Sequence, residues 1–180
     1  KPITHPLRPD IPIYLGAEGP KNVAMAAEIC DGWFPLYYSP DREDVYAEAI
    51  ANRPENFEIM YPMKVQITDD LDAGRLEIKK DLALYVGGMG AKDRNFHNEL
   101  VVRLGYGDAA AKIQDLYLDG KKAQAVAAVP DELVDDIALV GPKDRIKQRL
   151  AAWDDSAVTS LLVWPKTNED LYTFAELVLD

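Results

Sequence analysis

Small residues let a ligand approach the backbone, and one segment of this 180-residue chain offers them in a usable order. Gly16-Ala17-Glu18-Gly19-Pro20 follows a short apolar run from Ile11 to Ala17, and Pro20 can serve as the first residue of a helix. A helix start carries unbonded amides that favour an anion, and Lys21 adds charge beside it. Glu18 would repel a phosphate unless its side chain turned away. The same Gly-x-x-Gly-Pro spacing also makes a plain strand-to-helix turn, so the residues themselves leave both readings open. A second group is aromatic: Trp33, Phe34, Tyr37, Tyr38 and Trp164 sit in or just after apolar runs. Rings that end strands can line a ligand pocket, but they also fill the layer between sheet and helices. Trp33 and Phe34 read as core, whereas Trp164, next to Pro165-Lys166, suits either role.

The other reactive side chains point to structure rather than chemistry. His97 has no partner in the local sequence to make it a general base, so a helix-surface or capping residue is expected. His5 lies in a proline-rich lead-in, and Cys30 reads as a small buried hydrophobe. Gly87-Gly88-Met89-Gly90 follows a helix and lacks the G-x-G-x-x-G spacing, so it reads as a helix stop or a hinge at a pocket rim. The acidic run from Asp131 to Asp136 reads as a solvated helix face. One cysteine and two histidines make neither an internal disulfide nor a zinc site, and no metal is expected. Walker, G-x-S-x-G and H-E-x-x-H motifs are absent.

The elements that must position these residues alternate. Ile11 to Ala17 reads as a strand covered on both faces, followed by a helix with Val23, Ala26, Ala27 and Cys30 on one stripe. Trp33 to Tyr38 reads as a second strand and Ser39 to Asn52 as a second helix. A third strand lies within Phe57 to Thr68, interrupted by Pro62, and Asp69-Asp70 caps the helix that follows. From Ala91 to Val129 the pattern is helical; Pro130 and Gly141-Pro142 open two more helices. A last strand, Leu161 to Trp164, precedes a terminal helix. Four strand–helix units with short connections specify an α/β fold with a parallel sheet, either half of a (β/α)8 barrel or an open doubly wound sheet. The formal net charge of -11, from 20 Lys plus Arg against 31 Asp plus Glu, disfavours nucleic acid and anionic membrane surfaces as partners. No apolar run approaches the ~20 residues of a membrane span, and a soluble cytoplasmic protein is expected.

Ile11 through Val23, then Ala26-Ala27-Glu28-Ile29-Cys30-Asp31-Gly32-Trp33, resembles the luciferase-like flavin and deazaflavin oxidoreductase superfamily, most closely its coenzyme F420-dependent branch. Tyr85 to Asn98, Ala109 to Gly120, Pro130 to Val134 and Val140 to Val163 are similar too, so the likeness spans almost the whole chain. It implies a TIM barrel of which residues 1–180 form the carboxyl-terminal half, strands five to eight, with a helical insertion at roughly 69–129 before the last strand. It implies an F420-dependent hydride transfer to or from a small organic substrate, with the catalytic acid or histidine in the first half of the barrel and none here. FMN-dependent monooxygenation and a non-catalytic, flavin-binding shortened barrel are the alternatives. Carried over residue by residue, Gly16, Ala17, Glu18 and Gly19 lie near the cofactor phosphate. Some relatives have glycine where Glu18 stands, and others have glycine near Ser156-Ala157. Strand-end position adds Tyr37 and Trp164, with Tyr85 and Met89 on a rim, as substrate contacts. Half a barrel leaves two strand edges unpaired, so a homo-oligomer is expected, inactive by itself.

Overall fold

The computed structural model describes every residue except 1–4, 6, 9, 93 and 180. Its centre is a long strand that three others share. Strand β3 (Glu58–Ile67) pairs in parallel with β2 (Gly32–Phe34), with β4 (Ala138–Gly141) and with β5 (Ser160–Val163), and β1 (Tyr14–Gly16) adds to β2. Backbone groups of a parallel strand point alternately to its two neighbours. Glu58 N donates to Asp31 O (3.1 Å) and Thr68 N to Gly141 O (3.0 Å), whereas Ile59 O accepts from Thr159 N (2.9 Å). β2 and β4 therefore lie end to end along one edge of β3, and β5 lies along the other.

That arrangement explains how a ten-residue strand runs through Pro62. The even-numbered residues face the β2/β4 edge, where β2 stops opposite Ile59 and β4 starts opposite Lys64. Pro62 falls in the gap, where no amide is needed. The strand expected to break at Pro62 is continuous for this reason.

Strand β4 is a correction to the sequence reading, which ran helix into helix here. Ala138 to Gly141 is entirely buried and pairs with Lys64–Ile67. The sheet thus has five strands rather than four. The other elements follow in order: α1 (Pro20–Ile29), a 3-10 turn (Pro40–Arg42), α2 (Asp44–Ala47), α3 (Leu71–Gly88), α4 (Phe96–Arg103), α5 (Gly107–Leu118), α6 (Lys122–Ala127), α7 (Asp131–Ile137), α8 (Lys143–Asp154) and α9 (Asn168–Leu179). The helix expected over 39–52 is thus only a 3-10 turn and one α turn.

Along β1, β2 and the first part of β3, one face of the sheet is packed and the other is open. Leu15, Trp33, Ile59, Tyr61, Met63 and Val65 alternate onto the helix side, and all but the half-buried Leu15 are buried. Trp33 meets Tyr46 edge-on at 4.7 Å, and Tyr61 stacks on Trp153 of α8 at 4.9 Å while donating its hydroxyl to Ile137 O (2.7 Å). The residues between them, Gly16, Phe34, Glu58, Met60 and Pro62, are exposed or half-buried. The double coverage expected of the first strand is therefore not found, and Ile11 and Ile13, expected within it, lie exposed before it. Cys30 is half-buried at the end of α1, outside the buried stripe of Val23, Ala26 and Ala27.

α3 ends at Gly88, inside the glycine cluster expected to stop it, and Tyr117 of α5 lies against Gly87 and Gly88; an added Cβ would come within 2.5 Å of its stem at Gly87 and 2.4 Å of its ring at Gly88. These glycines allow two helices to touch, and the chain turns only at Gly90, where φ is +149°. The acidic α7, by contrast, is not the solvated face expected. Asp135 and Asp136 are only 16% and 14% exposed, and they bind Arg75, Arg145 and Arg42.

Candidate active site

Strand β1 leaves the sheet at Gly16, and α1 begins at Pro20 with no side chain capping its start at Gly19. Three contacts from distant elements fix the turn between them. Trp33 Nε1 donates to Ala17 O (2.8 Å), Arg103 Nη2 of α4 donates to Glu18 O (2.7 Å), and Leu36 N donates to Glu18 Oε1 (2.9 Å). Glu18 therefore turns into the protein, removing the repulsion that its sequence position suggested. Neither flanking glycine is explained by the fold. Both lie outside the left-handed region; a Cβ on Gly19 would meet nothing within 4 Å, and one on Gly16 only Phe34 O at 3.9 Å. The space beside the turn is open to a ligand, and the helix start behind it is suited to an anion.

Burial pushes the Glu18 carboxyl up to about 7, against the hydrogen bond from Leu36 and the charge of Arg103, which both favour its ionised form. Its Oε2 is enclosed and has no partner among the described residues, and neither has Arg103 Nε.

Leu36 leads directly to a cavity of about 390 Å³. Phe34 at the end of β2 and Leu36 and Tyr37 just after it form one wall; Tyr61, Pro62 and Lys64 come from β3; Leu82 and Tyr85 from α3; and Trp164 stands just past β5. The lining is mainly apolar, and Lys64 and Asp81 form an ion pair within it. Tyr37 is buried, which holds its phenol well above the ordinary tyrosine range, and its carbonyl accepts the Tyr46 hydroxyl (2.9 Å). Such a cavity suits an organic ring or a small apolar substrate.

Of the residues singled out from sequence, Tyr37, Tyr85 and Trp164 line this one cavity, and Gly16 to Gly19 form the turn tied to its wall. Met89 does not line it; it is exposed at the end of α3. His97 is more than the surface residue expected. Its ring lies edge-on to Tyr85 at 5.0 Å and to Tyr37 at 6.3 Å, behind two cavity walls, and burial lowers its pKa. Asn95 places it: Oδ1 caps α4 by accepting from the amides of His97 and Asn98 (both 3.0 Å), while Nδ2 donates to Tyr85 O and Val86 O (both 2.9 Å). Asn95 thus closes one helix and opens the next. An Asn just before an apolar-periodic segment was the available signal for that cap. Arg103, 85 residues from Glu18, left none. Among the described residues no group of His, Cys, Asp and Glu could hold a metal ion, and no helix is long and apolar enough to cross a membrane.

A Mycobacterium tuberculosis protein named "Putative coenzyme F420-dependent oxidoreductase" is 47% identical over 187 residues, covering 99% of this chain and 54% of its own. The 5,10-methylenetetrahydromethanopterin reductase of Archaeoglobus fulgidus is 23% identical over 93% of this chain and 52% of its own. Among solved structures, a coenzyme F420-dependent tetrahydromethanopterin reductase from Methanopyrus kandleri superposes with a TM-score of 0.68 at 21% identity, over 93% of this chain and 49% of that one. An F420-dependent secondary alcohol dehydrogenase, solved with an F420-acetone adduct, gives 0.59 at 14% identity over 97% and 50%. The two structures establish likeness of fold. The chain spans about half the length of the curated relatives it matches. Residues 1–160 match the luciferase-like monooxygenase family, and the chain belongs to that family.

Proposed function

We propose that this chain is the carboxyl-terminal half of a coenzyme F420-dependent oxidoreductase, which moves a hydride between the deazaflavin and a small organic substrate. In this reading β1, β2, β3 and β5 are the last four strands of a (β/α)8 cylinder. Residues 1–180 are one half of a single domain, with a helical insertion at roughly 69–129. The observation that carries it is the pairing of an open glycine turn with an apolar cavity at the same ends of a parallel sheet, joined through Glu18 and Leu36. A parallel sheet normally has both faces covered, and here one face of β1, β2 and the first part of β3 is open, as one side of a cylinder would be.

The Gly16–Gly19 turn fits the phosphate-bearing tail: its glycines leave room, its helix start is uncapped, and its one acidic side chain points elsewhere. When bound, the deazaflavin would supply the hydride-carrying ring. This chain's residues would hold the tail at the turn and exclude water with the apolar wall of Tyr37, Tyr85 and Trp164. None of them is assigned as a catalytic acid or base. The unpaired outer edges of β1 and β5, the two sides at which a cylinder would continue, support self-association of the isolated chain.

The test is equilibrium binding of the protein produced from its complete gene to F420 and to FMN, followed by fluorescence. F420 binding with substrate-dependent loss of its colour is expected. Binding of FMN without affinity for the deazaflavin would replace this reading with that of a flavin monooxygenase, and binding of neither would leave a scaffold.

A further inference from the structure

Glu18 stands where the two parts of the site meet. Its side chain reaches over to the end of β2 and holds the amide of Leu36, next to Tyr37. Its own carbonyl is held by Arg103, from the helical segment that also carries His97. Two other contacts touch Tyr37: the Tyr46 hydroxyl on its carbonyl, which stays neutral, and the His97 ring, which can take up a proton as pH falls. Among the described residues, Glu18 is the titratable side chain that bonds the Leu36 amide itself.

We propose that Glu18 is a positioning residue, a latch whose neutral carboxyl fixes the Leu36–Tyr37 wall of the cavity to the β1–α1 turn and whose ionisation releases it. The coupling to cofactor and substrate rests on the reading of the turn and cavity given above; the latch itself does not. The physical reason lies in Oε2. It is enclosed without a partner, so an ionised carboxylate would leave half its charge buried and unmatched, and would be drawn out to water. The charged and titratable groups facing Glu18 are few. Arg103 on α4 favours the ionised form, and Tyr37, Tyr46 on α2 and Tyr61 on β3 are phenols that burial keeps neutral.

The sign follows from linkage. A carboxyl held up at about 7 when latched, and at its ordinary value of 4.5 when released, binds its proton more tightly in the latched state. Latching is therefore favoured at low pH. It weakens by several tens-fold as pH rises from about 5 to about 7, and it levels off above about 8.

The experiment is amide hydrogen exchange of Leu36 and Tyr37, read by NMR on the chain without cofactor between pH 5 and 8.5, for the wild type, Glu18→Gln and Glu18→Ala. After correction for intrinsic exchange, wild-type protection at Leu36 should fall by at least tenfold across that range. Glu18→Gln keeps an acceptor oxygen but cannot ionise, so its protection should persist without pH dependence; Glu18→Ala should lose at least tenfold at pH 5. Should Glu18→Ala not fold, the wild-type and Gln curves still decide. Equal pH courses for those two, or full protection in the Ala variant, would overturn the latch. F420 titration of the same samples addresses the cofactor reading separately. A pH-dependent Leu36 with no F420 binding removes the cofactor and keeps the latch, and F420 binding with a pH-independent Leu36 does the reverse.

Discussion

Replacing Asp135 by alanine tests whether the charges around α7 form a buried clamp or a solvated surface. Asp135 receives Arg75 of α3 through two nitrogens (Nη2 at 2.5 Å and Nε at 3.3 Å) and Arg145 of α8 through Nη2 at 2.8 Å. The side chains of Arg75, Asp135 and Arg145 are 15%, 16% and 23% exposed. Truncation removes three charge-assisted hydrogen bonds and leaves two guanidiniums close together. Arg75 retains Asp131 at 3.1 Å and Arg145 retains Val140 O, which softens the loss. Breaking a fully buried pair costs about 3–5 kcal/mol; with this residual pairing and exposure, roughly 2–4 kcal/mol is expected. For a urea slope near 2 kcal/mol/M that moves the unfolding midpoint down by roughly 1–2 M. A cycle with Arg75→Ala should show coupling above about 1 kcal/mol. A loss under about 0.5 kcal/mol, the range of exposed ion pairs, would refute the clamp and restore the solvated helix.

Other perturbations follow from the same contacts. Gly32→Ala would drive its new Cβ to 2.7 Å from Glu58 O and 2.4 Å from the Tyr14 ring; the ring can swing but the β3 backbone cannot, so urea unfolding should show a loss of roughly 1–3 kcal/mol. His97, whose pKa burial depresses, contributes stability above the ordinary histidine value that is lost as pH falls through its folded value; His97→Gln should flatten that decline, measured as the difference between urea midpoints of the two proteins from pH 7.5 to 5. Trp164 is 59% exposed at the cavity, so Trp164→Ala should leave the unfolding midpoint within error while weakening F420 or substrate binding roughly tenfold.

Much of the architecture was legible because it depends on local rules. Pro20 after a glycine-containing turn, Asp70 ahead of Leu71, and Ile146, Leu150 and Trp153 on one stripe each mark an element by nearest neighbours or by helical period, and each is found. Strand β4 escaped because α7 ends at Ile137 and the strand begins at Ala138, with no turn residue between them. An apolar run of that length, joined directly to a helix, carries no period of its own. Pro62 misled for the opposite reason. The rule against proline in a strand concerns the missing amide, and which edge of β3 that amide would face is fixed by the pairing of Trp33 with Ile59 and of Ala138 with Lys64, 29 residues before and 76 after the proline.

The site divides along the same line. The glycine turn could be found because its geometry is written in five consecutive residues, and Tyr37 and Trp164 because strand ends converge in any parallel α/β fold. Whether the turn could accept an anion depended on where Glu18 points, and that is settled by Leu36 and Arg103, 18 and 85 residues away. The carboxylate that counted against the site in one dimension supports it in three: once folded inward it leaves the helix start free of negative charge and ties that start to the cavity wall. A charge near a candidate anion site is therefore informative only with its hydrogen-bond partner, and long-range partners are what a single sequence does not display.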